Sequence, residues 1–357
     1  DHGANAIGAL VSPHSTLEEL FLAGKLVRGL GSENIDYRLR NADFSAKQGV
    51  NWLGMPITAL SSLQSVLVVG SNLRKDHPLF AQRIRQAAKK GCSVFAINER
   101  EYDWALPLNS AVVASVDWVQ ALADVAAAVA QVKGVESPIA GANAQLEARA
   151  IAVALLRGDE KAILLGNAAA HHAQASTLLS LANWIAQQTG AAVGYLTEAA
   201  NTVGAQWVNA VPGSNGQNAA QMLAGGLKAA ILLNNEPVFD SAAGAAAAQA
   251  LGKAQMVVTL SPFKANMEFS DVLLPIAPFT ETSGSFVNAE GRLQSFHAVV
   301  KPLADTRPGW KVLRVLANLL GISGASFETS QEVLAAATAG ATEVPAAKLS
   351  NAAQAIS

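Results

Sequence analysis

The stretch SVLVVGSNLRKDHPLFAQRIRQAAKKGCSVFAINER, residues 65–100, decides the predicted fold. Its first apolar run, Val66–Val69, has the length and composition of a parallel strand that is covered on both faces. Apolar residues at helical spacing follow, beginning at Pro78 in a first turn, and Gly91 can adopt the left-handed conformation after the helix. A second apolar run, Ser93–Ile97, completes a βαβ unit. The stretch therefore predicts an α/β fold with a mainly parallel sheet.

The same alternation continues along the chain. Further strands are predicted at Ala4–Ser12, Ala111–Val116, Lys161–Leu165, Ala192–Leu196, Lys228–Leu233, Met256–Leu260 and Val272–Leu274. Further helices are predicted at Thr16–Leu30, Trp118–Val132, Ala175–Thr189 and Trp310–Leu320. Ser15 and Glu18 predict a capping box for the first of these helices. A polar segment, Gly134–Ala144, predicts a boundary between two contiguous domains.

The composition excludes several classes of protein. The chain has 357 residues, of which 51% are hydrophobic and 15% charged, so it can bury about two domain cores. Its net charge of −2 gives no basic face for nucleic acid. The single cysteine, Cys92, rules out disulfides within the chain and thiolate clusters, and we interpret it as core packing. No secretory signal or membrane-spanning helix is predicted, and the start without Met predicts a piece of a longer protein.

Two short motifs follow strands, where ligands bind in doubly wound sheets. Gly70–Asn72 (GSN) lets the backbone approach a ligand, although a tight strand-to-helix turn is the preferred interpretation of the motif alone. The acidic residue of INER, Glu99, could accept a hydrogen bond from a ribose or a pterin, or it could form a solvated pair with Arg100. Neither motif is a dinucleotide fingerprint or a P-loop.

Two other segments are candidates for binding. GNAAAHH, residues 166–172, places His171 and His172 on adjacent helical positions, which rarely bind one metal together, so a helix start near the sheet edge is the preferred interpretation. The uncharged segment Asn201–Asn218 predicts a long loop that could wrap a polar ligand or fill its place. No nucleophile motif is present.

The motifs, taken in order, resemble the molybdopterin oxidoreductase family. The resemblance rests on GSNLRKDHP, RIRQAAKKG, VFAINER, SDVLLPIAPFTETSGSFVNAEGRLQSF and PGWKVLRVLANLLG, and it covers residues from about 5 to 322. Within the family, SPHSTLEELFLAGKLVRGLGSENIDYRLRNADF is most similar to one iron–sulfur subunit of respiratory NADH:quinone oxidoreductase (complex I). That subunit carries a molybdopterin-oxidoreductase-like portion, and we term it the molybdopterin-like subunit of complex I.

The resemblance implies two Rossmann-like domains of the formate dehydrogenase and DMSO reductase type, one inserted in the other. Residues 1–60 with 151–322 would form a discontinuous domain. Residues 61–150 would form the inserted nucleotide-binding-like domain. Residues 323–357 would form an Ala-rich tail, expected to be poorly packed where its neighbours are missing.

The departures from the family concern its metal. Catalytic members place a metal ligand shortly after the motif that NIDYRLR resembles, and the aligned position here is Ala42, which cannot ligate. A slip of one residue would offer Asp43 instead. By resemblance, the pterin contacts fall on Gly70, Asn72, Glu99, Glu281, Gly284 and Asn288, which we interpret as a vestigial pocket.

The favoured hypothesis is therefore a structural, cofactor-free portion of the molybdopterin-like subunit of complex I. The resemblance implies iron–sulfur clusters in an amino-terminal region outside this chain and other peripheral-arm subunits of complex I as partners. It also implies a peripheral location on the cytoplasmic side of the bacterial inner membrane, for a segment that is itself soluble. The complex is an enzyme, whereas this segment alone is expected to be non-catalytic. The alternative is a fragment of a molybdenum or tungsten oxidoreductase with Asp43 as metal ligand, which predicts a deep cleft between its domains.

Overall fold

The computed structural model of the protein describes residues 2–45 and 49–353. The strands, in chain order, are β1 Ile7–Val11, β2 Ile35–Asp36, β3 Ser65–Val69, β4 Ser93–Asn98, β5 Asn109–Val112, β6 Lys161–Leu165, β7 Ala192–Tyr195, β8 Ala229–Leu233, β9 Met256–Ser261, β10 Val272–Pro275, β11 Gly284–Val287 and β12 Leu293–Phe296.

The α-helices in the described ranges alternate with these strands. They are α1 Leu17–Gly29, α2 Leu73–Asp76, α3 Pro78–Ala88, α4 Trp118–Lys133, α5 Leu146–Leu155, α6 Asn167–His171, α7 Ala175–Thr189, α8 Thr202–Trp207, α9 Ala219–Leu223, α10 Pro237–Asp240, α11 Ala245–Leu251, α12 Gly309–Leu319 and α13 Ser330–Thr338. No helix in the described ranges is both long enough and apolar enough to span a bilayer.

The chain divides into two compact units. The described residues of Asp1–Asn41 and Ala199–Pro345 form unit 1, and those of Ala42–Glu198 and Ala346–Ser357 form unit 2. Both units are therefore discontinuous, because residues 42–198 interrupt unit 1 and the chain returns to unit 2 after residue 345. In the described ranges, each unit contains one parallel sheet.

Unit 1 contains a sheet in the order β10-β9-β8-β1-β2, with every neighbouring pair parallel, and a separate antiparallel hairpin, β11–β12. The sheet strands are short apolar runs because both of their faces are covered. On one face, Leu10, Leu232 and Val257 pack with Met222 of α9 and Leu251 of α11.

Unit 2 contains a parallel sheet in the order β5-β4-β3-β6-β7. Its strand order reverses between β3 and β6, which makes that position the topological switch point. Helices α4, α5 and α7 cover one face through residues such as Leu122, Ile151 and Leu178, which pack on Leu67 and Ile163. The predicted fold class, α/β with two mainly parallel sheets, is confirmed.

The predicted domain bounds differ from these units. Strands β6 and β7 were assigned to the domain of residues 151–322, but β6 pairs with β3 over Ser65–Val69 and therefore belongs to unit 2. The sequence does not reveal this pairing because it joins strands that are distant along the chain. The described residues of 42–60, which are 42–45 and 49–60, also belong to unit 2. The polar segment at 134–144 is not a boundary, since Ala144 lies in the unit 2 core.

The carboxyl-terminal segment is better packed than expected. Ala325 and Val333 are fully buried within unit 1. Asn351 is buried in unit 2, where its Nδ2 donates to the carbonyl oxygens of Trp52 (2.9 Å) and Val193 (2.8 Å). The predicted poor packing is therefore wrong through residue 353, and residues 354–357 lie outside the described ranges.

Two local predictions need correction. The capping box of α1 is formed by Thr16 and Glu19 rather than by Ser15 and Glu18, because the Glu18 carboxylate is bound to Ser285 instead. The segment Asn201–Asn218 is not one loop: α8 occupies its first part, and Asn218 caps α9.

Candidate functional site

The carboxyl edge of the unit 2 sheet is built from two glycine loops at the switch point. Gly70 follows β3 with a φ of 67°, and a Cβ added there would lie 2.6 Å from the backbone nitrogen of Ala169. Gly166 follows β6, and a Cβ added there would contact the Gly70 carbonyl oxygen. The two loops thus touch backbone to backbone, in the region where open α/β sheets bind their ligands.

A hydrogen-bonded frame holds the loop after β3. The backbone nitrogen of Ser71 donates to Oδ1 of Asn98 (3.0 Å), and Nδ2 of Asn98 donates to the Ser71 carbonyl oxygen (3.1 Å). Asp76 accepts from the Ser71 hydroxyl and from the Asn72 backbone nitrogen. These bonds fix the GSN motif without any ligand.

Two asparagine oxygens at the same edge lack partners. Oδ1 of Asn72, after β3, and Oδ1 of Asn167, after β6, are buried and accept no hydrogen bond from any described residue. An orphaned buried acceptor is unfavourable by about 1–3 kcal/mol. A ligand that donates hydrogen bonds would satisfy them, whereas a phosphate would not.

Glu99 does not join this frame. It is exposed at the end of β4, and its neighbour Arg100 lies over the ring of Tyr102 at 5.4 Å from the centroid. Glu99 is thus solvated, and the Arg100 guanidinium donates to the Tyr102 hydroxyl (3.3 Å) rather than forming an ion pair with Glu99.

The histidines of GNAAAHH have different partners. Nε2 of His171 lies 2.5 Å from Glu198, whereas Nε2 of His172 lies 3.0 Å from the Ser115 carbonyl oxygen. Among residues 2–45 and 49–353, no three His, Cys, Asp or Glu side chains come together as a metal site. The helix α6 starts at Asn167, at the carboxyl end of β6, as the sequence predicts.

His77 was not identified from the sequence. Its Nε2 lies 2.8 Å from the Thr197 carbonyl oxygen, so Nε2 carries the proton and Nδ1 is a bare, buried acceptor without a described partner. Burial lowers the pKa of His77, which keeps the ring neutral. The sequence could have indicated His77 only through its position between Asp76 and Pro78, the first residue of α3.

The candidate metal ligand, Asp43, is used within the fold. Its Oδ2 accepts from the backbone nitrogen of Ser176 (2.8 Å) in the first turn of α7, and its Oδ1 accepts from that of Ser45 (2.9 Å). Burial opposes ionisation, but these hydrogen bonds outweigh it and lower the pKa of Asp43 to about 2. Asp43 therefore acts as a capping carboxylate for α7. The neighbouring Ala42 is exposed and offers no ligand atom.

The three unit 1 residues with predicted pterin contacts also have partners or neighbours within the fold. Glu281 accepts from the backbone nitrogen of Leu303 (2.9 Å). Oδ1 of Asn288 accepts from the backbone nitrogens of Glu290 and Arg292, which closes the turn between β11 and β12.

Gly284 starts β11 where the hairpin lies against α1. A Cβ added there would contact the Thr16 side chain, which caps α1. Its lack of a side chain therefore serves packing between the hairpin and the helix.

Two buried carboxylates beneath the hairpin were not identified as site candidates. Glu18 accepts from both the backbone nitrogen (2.9 Å) and the hydroxyl (2.8 Å) of Ser285, while burial raises its pKa. Burial raises the pKa of Glu19 to about 7, although the Thr16 backbone and hydroxyl oppose the shift. The sequence offers these residues only as the acidic first turn of a helix.

The fit to a pterin cofactor differs between the units. In unit 2, the switch-point loops and the two orphaned asparagine oxygens could hold the hydrogen-bond donors of a pterin or a base. In unit 1, Glu281, Asn288 and Gly284 are each engaged within the fold. The metal position does not fit, because Ala42 has no ligand atom and both oxygens of Asp43 accept backbone hydrogen bonds.

Comparisons with known proteins agree with this architecture. Residues 1–319 match the molybdopterin oxidoreductase family. The NADPH-Fe(3+) oxidoreductase subunit alpha of Geobacter sulfurreducens is 25% identical over 89% of this chain and 46% of its own length. The probable oxidoreductase YjgC of Bacillus subtilis is 24% identical over 93% of this chain and 41% of its own length. The chain thus spans less than half the length of these relatives.

A solved structure shares the fold. Acetylene hydratase from Pelobacter acetylenicus superposes with a TM-score of 0.61 at 12% identity, covering 95% of this chain and 59% of the hydratase. At this identity the likeness concerns the fold alone.

Proposed function

Because this chain belongs to the molybdopterin oxidoreductase family, we propose that it is a structural portion of an oxidoreductase that binds no molybdenum cofactor itself. The specific assignment we propose is the molybdopterin-like subunit of respiratory NADH:quinone oxidoreductase, complex I. Its partners are the other peripheral-arm subunits, and its location is the cytoplasmic side of the bacterial inner membrane. Its iron–sulfur clusters belong to an amino-terminal region of the full-length subunit.

The observation that carries the proposal is the use of Asp43. In the family a side chain near this position ligates the metal, but here the aligned residue is Ala42 and the adjacent carboxylate caps α7. A carboxylate that accepts two backbone hydrogen bonds would have to give them up, or share its oxygens, to ligate a metal. The carboxylate next to the expected metal position therefore supports the fold instead.

Two further observations support the assignment to a multi-subunit complex. The Geobacter relative is named as a subunit of an NADPH-dependent oxidoreductase, so membership of a pyridine-nucleotide-dependent assembly has a parallel among the relatives. Large apolar side chains are also exposed, among them Phe263 (71%) and Phe279 (70%) of unit 1. Exposed apolar groups of this size are typical of surfaces that partners cover.

The test is the composition of the native protein. The full-length protein would be purified from its own cells, its molybdenum and tungsten measured by mass spectrometry, and its pterin measured after oxidation to a fluorescent derivative. We expect far less than one metal atom or pterin per chain, together with co-purifying NADH:quinone oxidoreductase activity. Stoichiometric metal with pterin would overturn the cofactor-free assignment, and activity that fractionates away from the chain would overturn the assignment to complex I.

A second candidate, a molybdenum or tungsten oxidoreductase fragment with Asp43 as metal ligand, is favoured by the orphaned oxygens of Asn72 and Asn167. The Asp43→Ala variant separates the two functions. A catalytic protein would lose metal and activity together. A structural subunit would show only a loss of stability, while the NADH:quinone activity of the assembled complex would be unchanged.

A further inference from the structure

A cleft lies in unit 2, at the edge of the sheet opposite to the switch-point loops. It has a volume of about 800 Å³ and is lined by residues 61–64 and 90–93, which precede or begin β3 and β4, and by one side of α5. This volume lies within the range of small-molecule sites in proteins. The amino ends of the strands form its floor, so it is separate from the carboxyl edge where the family resemblance places a pterin.

Positive charge is concentrated in this cleft. Its lining contains Lys90, Arg149 and Arg157 but no acidic residue, in a chain whose net charge is −2. Within the described part of the chain, the guanidinium groups of Arg149 and Arg157 have no hydrogen-bond or ion-pair partner. Asp159 and Glu160 follow Arg157 in sequence but lie outside the lining. An anion is therefore the complementary occupant, since a guanidinium group can bind a carboxylate or phosphate in a bidentate manner.

An apolar stripe lies beside these cations. Leu146, Ala150 and Val153 recur on α5 at the spacing of one helical face, and all three line the cleft. Leu146 is 79% exposed and Val153 is 40% exposed, so this face of α5 has no covering element in unit 2. An occupant with an apolar body would remove the stripe from water.

We propose that this cleft binds a small organic anion. Its phosphate or carboxylate group would contact Arg149 and Arg157, and its apolar body would lie against Leu146, Ala150 and Val153. The proposal does not depend on the structural or catalytic role of the chain, because none of the residues assigned to the carboxyl edge lines the cleft.

The cleft contains a natural reporter. Cys92, the only cysteine of the chain, lines it and is half-buried, rather than fully buried in the core as the sequence suggested. Burial raises the pKa of its thiol to about 11, so only a small fraction of it is the reactive thiolate at neutral pH, and this fraction grows as the pH is raised. At a mildly alkaline pH, a neutral disulfide reagent such as 4,4′-dithiodipyridine can report occupancy of the cleft, because an occupant would slow its reaction with the Cys92 thiolate.

The experiment is a binding titration of the 357-residue chain with matched probes. 1-Naphthyl phosphate and 1-naphthoate carry the two anionic groups on the same apolar body, and 1-methoxynaphthalene carries none. We expect both anions to bind more tightly than the neutral probe and to slow the modification of Cys92; the tighter anion identifies the phosphate or carboxylate class. The Arg149→Gln/Arg157→Gln variant should weaken anion binding by about tenfold or more.

Arg85→Gln is the matched control, because Arg85 is exposed on α3 and lies outside the lining. It should leave the affinity of both anions unchanged. The proposal is overturned if neither anion binds, if Arg85→Gln weakens binding as much as the double variant, or if Cys92 reacts at the same rate with and without a bound probe. Tighter binding of an acidic helical peptide than of either anion would also overturn it, since that result would assign the cleft to a protein partner.

Discussion

The hairpin region of unit 1 and the switch-point loops of unit 2 differ in the hydrogen-bond partners of their buried polar groups. The hairpin region comprises β11, β12 and the groups they contact on α1 and at Asn201; the switch-point loops are residues 70–72 and 166–167. In the hairpin region, Glu18 is bound by Ser285, and Asn201 bridges Val287 and Ser15. In the switch-point loops, two asparagine oxygens have no partner among the described residues.

The two regions show two possible states of buried polar groups in a protein of a ligand-binding family: hydrogen-bonded within the chain, or left without a partner. Polar groups that gain partners within the chain become part of its stability, and their removal should destabilise the fold. Buried polar groups left without partners oppose stability through their lost hydration, so their removal together with the rest of the side chain should cost little or nothing. Mutations in the two regions can therefore sharpen or break the comparison.

The largest effect is expected for Gly166→Ala in the switch-point loops. The added methyl would meet the Gly70 carbonyl oxygen and the Ser71 side chain, and a backbone oxygen cannot move without shifting β3 or its loop. We expect a loss of about 3 kcal/mol in the free energy of unfolding, measured by urea denaturation.

Gly284→Ala in the hairpin region is the matched comparison. Its added methyl would meet Cγ2 and Cβ of Thr16. Rotation of the Thr16 side chain can relieve the Cγ2 contact at the expense of its cap, and a small shift of the hairpin away from α1 can relieve the Cβ contact, so we expect a smaller loss of about 1–2 kcal/mol. Equal midpoints for the wild type and Gly166→Ala would show that the two loops are not in backbone contact.

The pH dependence of unit 1 should be dominated by Glu19. Its folded pKa of about 7 lies above the unfolded value of 4.5, so the folded state binds more protons and stability decreases as the pH rises from about 4.5 to 7. This shift corresponds to about 3 kcal/mol. Urea denaturation at several pH values would measure the decrease.

Glu19→Gln provides the control, because glutamine can keep the capping box with Thr16 but cannot ionise. Most of the pH slope should disappear in this variant. A smaller slope of the same sign should persist, since burial raises the pKa of Glu18 as well. An unchanged slope in Glu19→Gln would assign the pH dependence to other groups.

Asn201→Ala should cost about 2 kcal/mol of the free energy of unfolding. Asn201 is fully buried; its Nδ2 donates to the Ser15 carbonyl oxygen, and its Oδ1 accepts from the backbone nitrogen of Val287 (both 2.9 Å). The substitution leaves both backbone groups without partners. Asn143→Ala, at an exposed position of unit 2, should leave the denaturation midpoint unchanged. A similar midpoint for both variants would mean that water replaces the lost bonds.

Asp43→Ala should cost about 1 kcal/mol, because the first turn of α7 loses its capping carboxylate. Asp43→Asn should cost less, since its amide keeps one acceptor oxygen. The folded pKa of about 2 lies below the usual value of 3.8, so the contribution is present at neutral pH and is lost as the pH falls from about 4 towards 2. Urea denaturation of both variants at pH 7 measures the change in the free energy of unfolding. If Asp43→Ala is as stable as the wild type, Asp43 does not cap α7.

The sequence predicts those features of the fold that depend on neighbouring residues. The bounds of β6 are predicted without error, and so is the start of α3 at Pro78, because an apolar run and a fixed proline φ are local signals. Gly91 has the predicted positive φ (99°) after α3 for the same kind of reason. The capping box is misplaced by one residue, because two hydroxyl residues precede two glutamates and only the distant Ser285 distinguishes them.

Features that depend on distant pairing could not be predicted. The assignment of β6 and β7 to unit 2 requires knowledge that β6 lies beside β3. The family resemblance identifies Ala42 and Asp43 as the important positions, but the partner of Asp43 is Ser176, which no local pattern indicates. The orphaned oxygens of Asn72 and Asn167 are likewise visible only when the packing around them is known.

The smallest effect is expected for Asn72→Ala and Asn167→Ala, which test the polar groups without partners in the switch-point loops. Both side chains carry a buried oxygen that accepts no hydrogen bond from any described residue, so removing the oxygen also removes an unfavourable desolvation. We expect each variant to unfold within about 0.5 kcal/mol of the wild type. Thermal and urea denaturation beside Asn201→Ala would measure this.

If either variant costs as much as Asn201→Ala, these oxygens have partners in solution, and the switch-point loops are then as fully satisfied as the hairpin region. If both are neutral, stability does not explain why asparagine occupies both positions, and the donor-bearing ligand suggested by their geometry becomes the explanation to test.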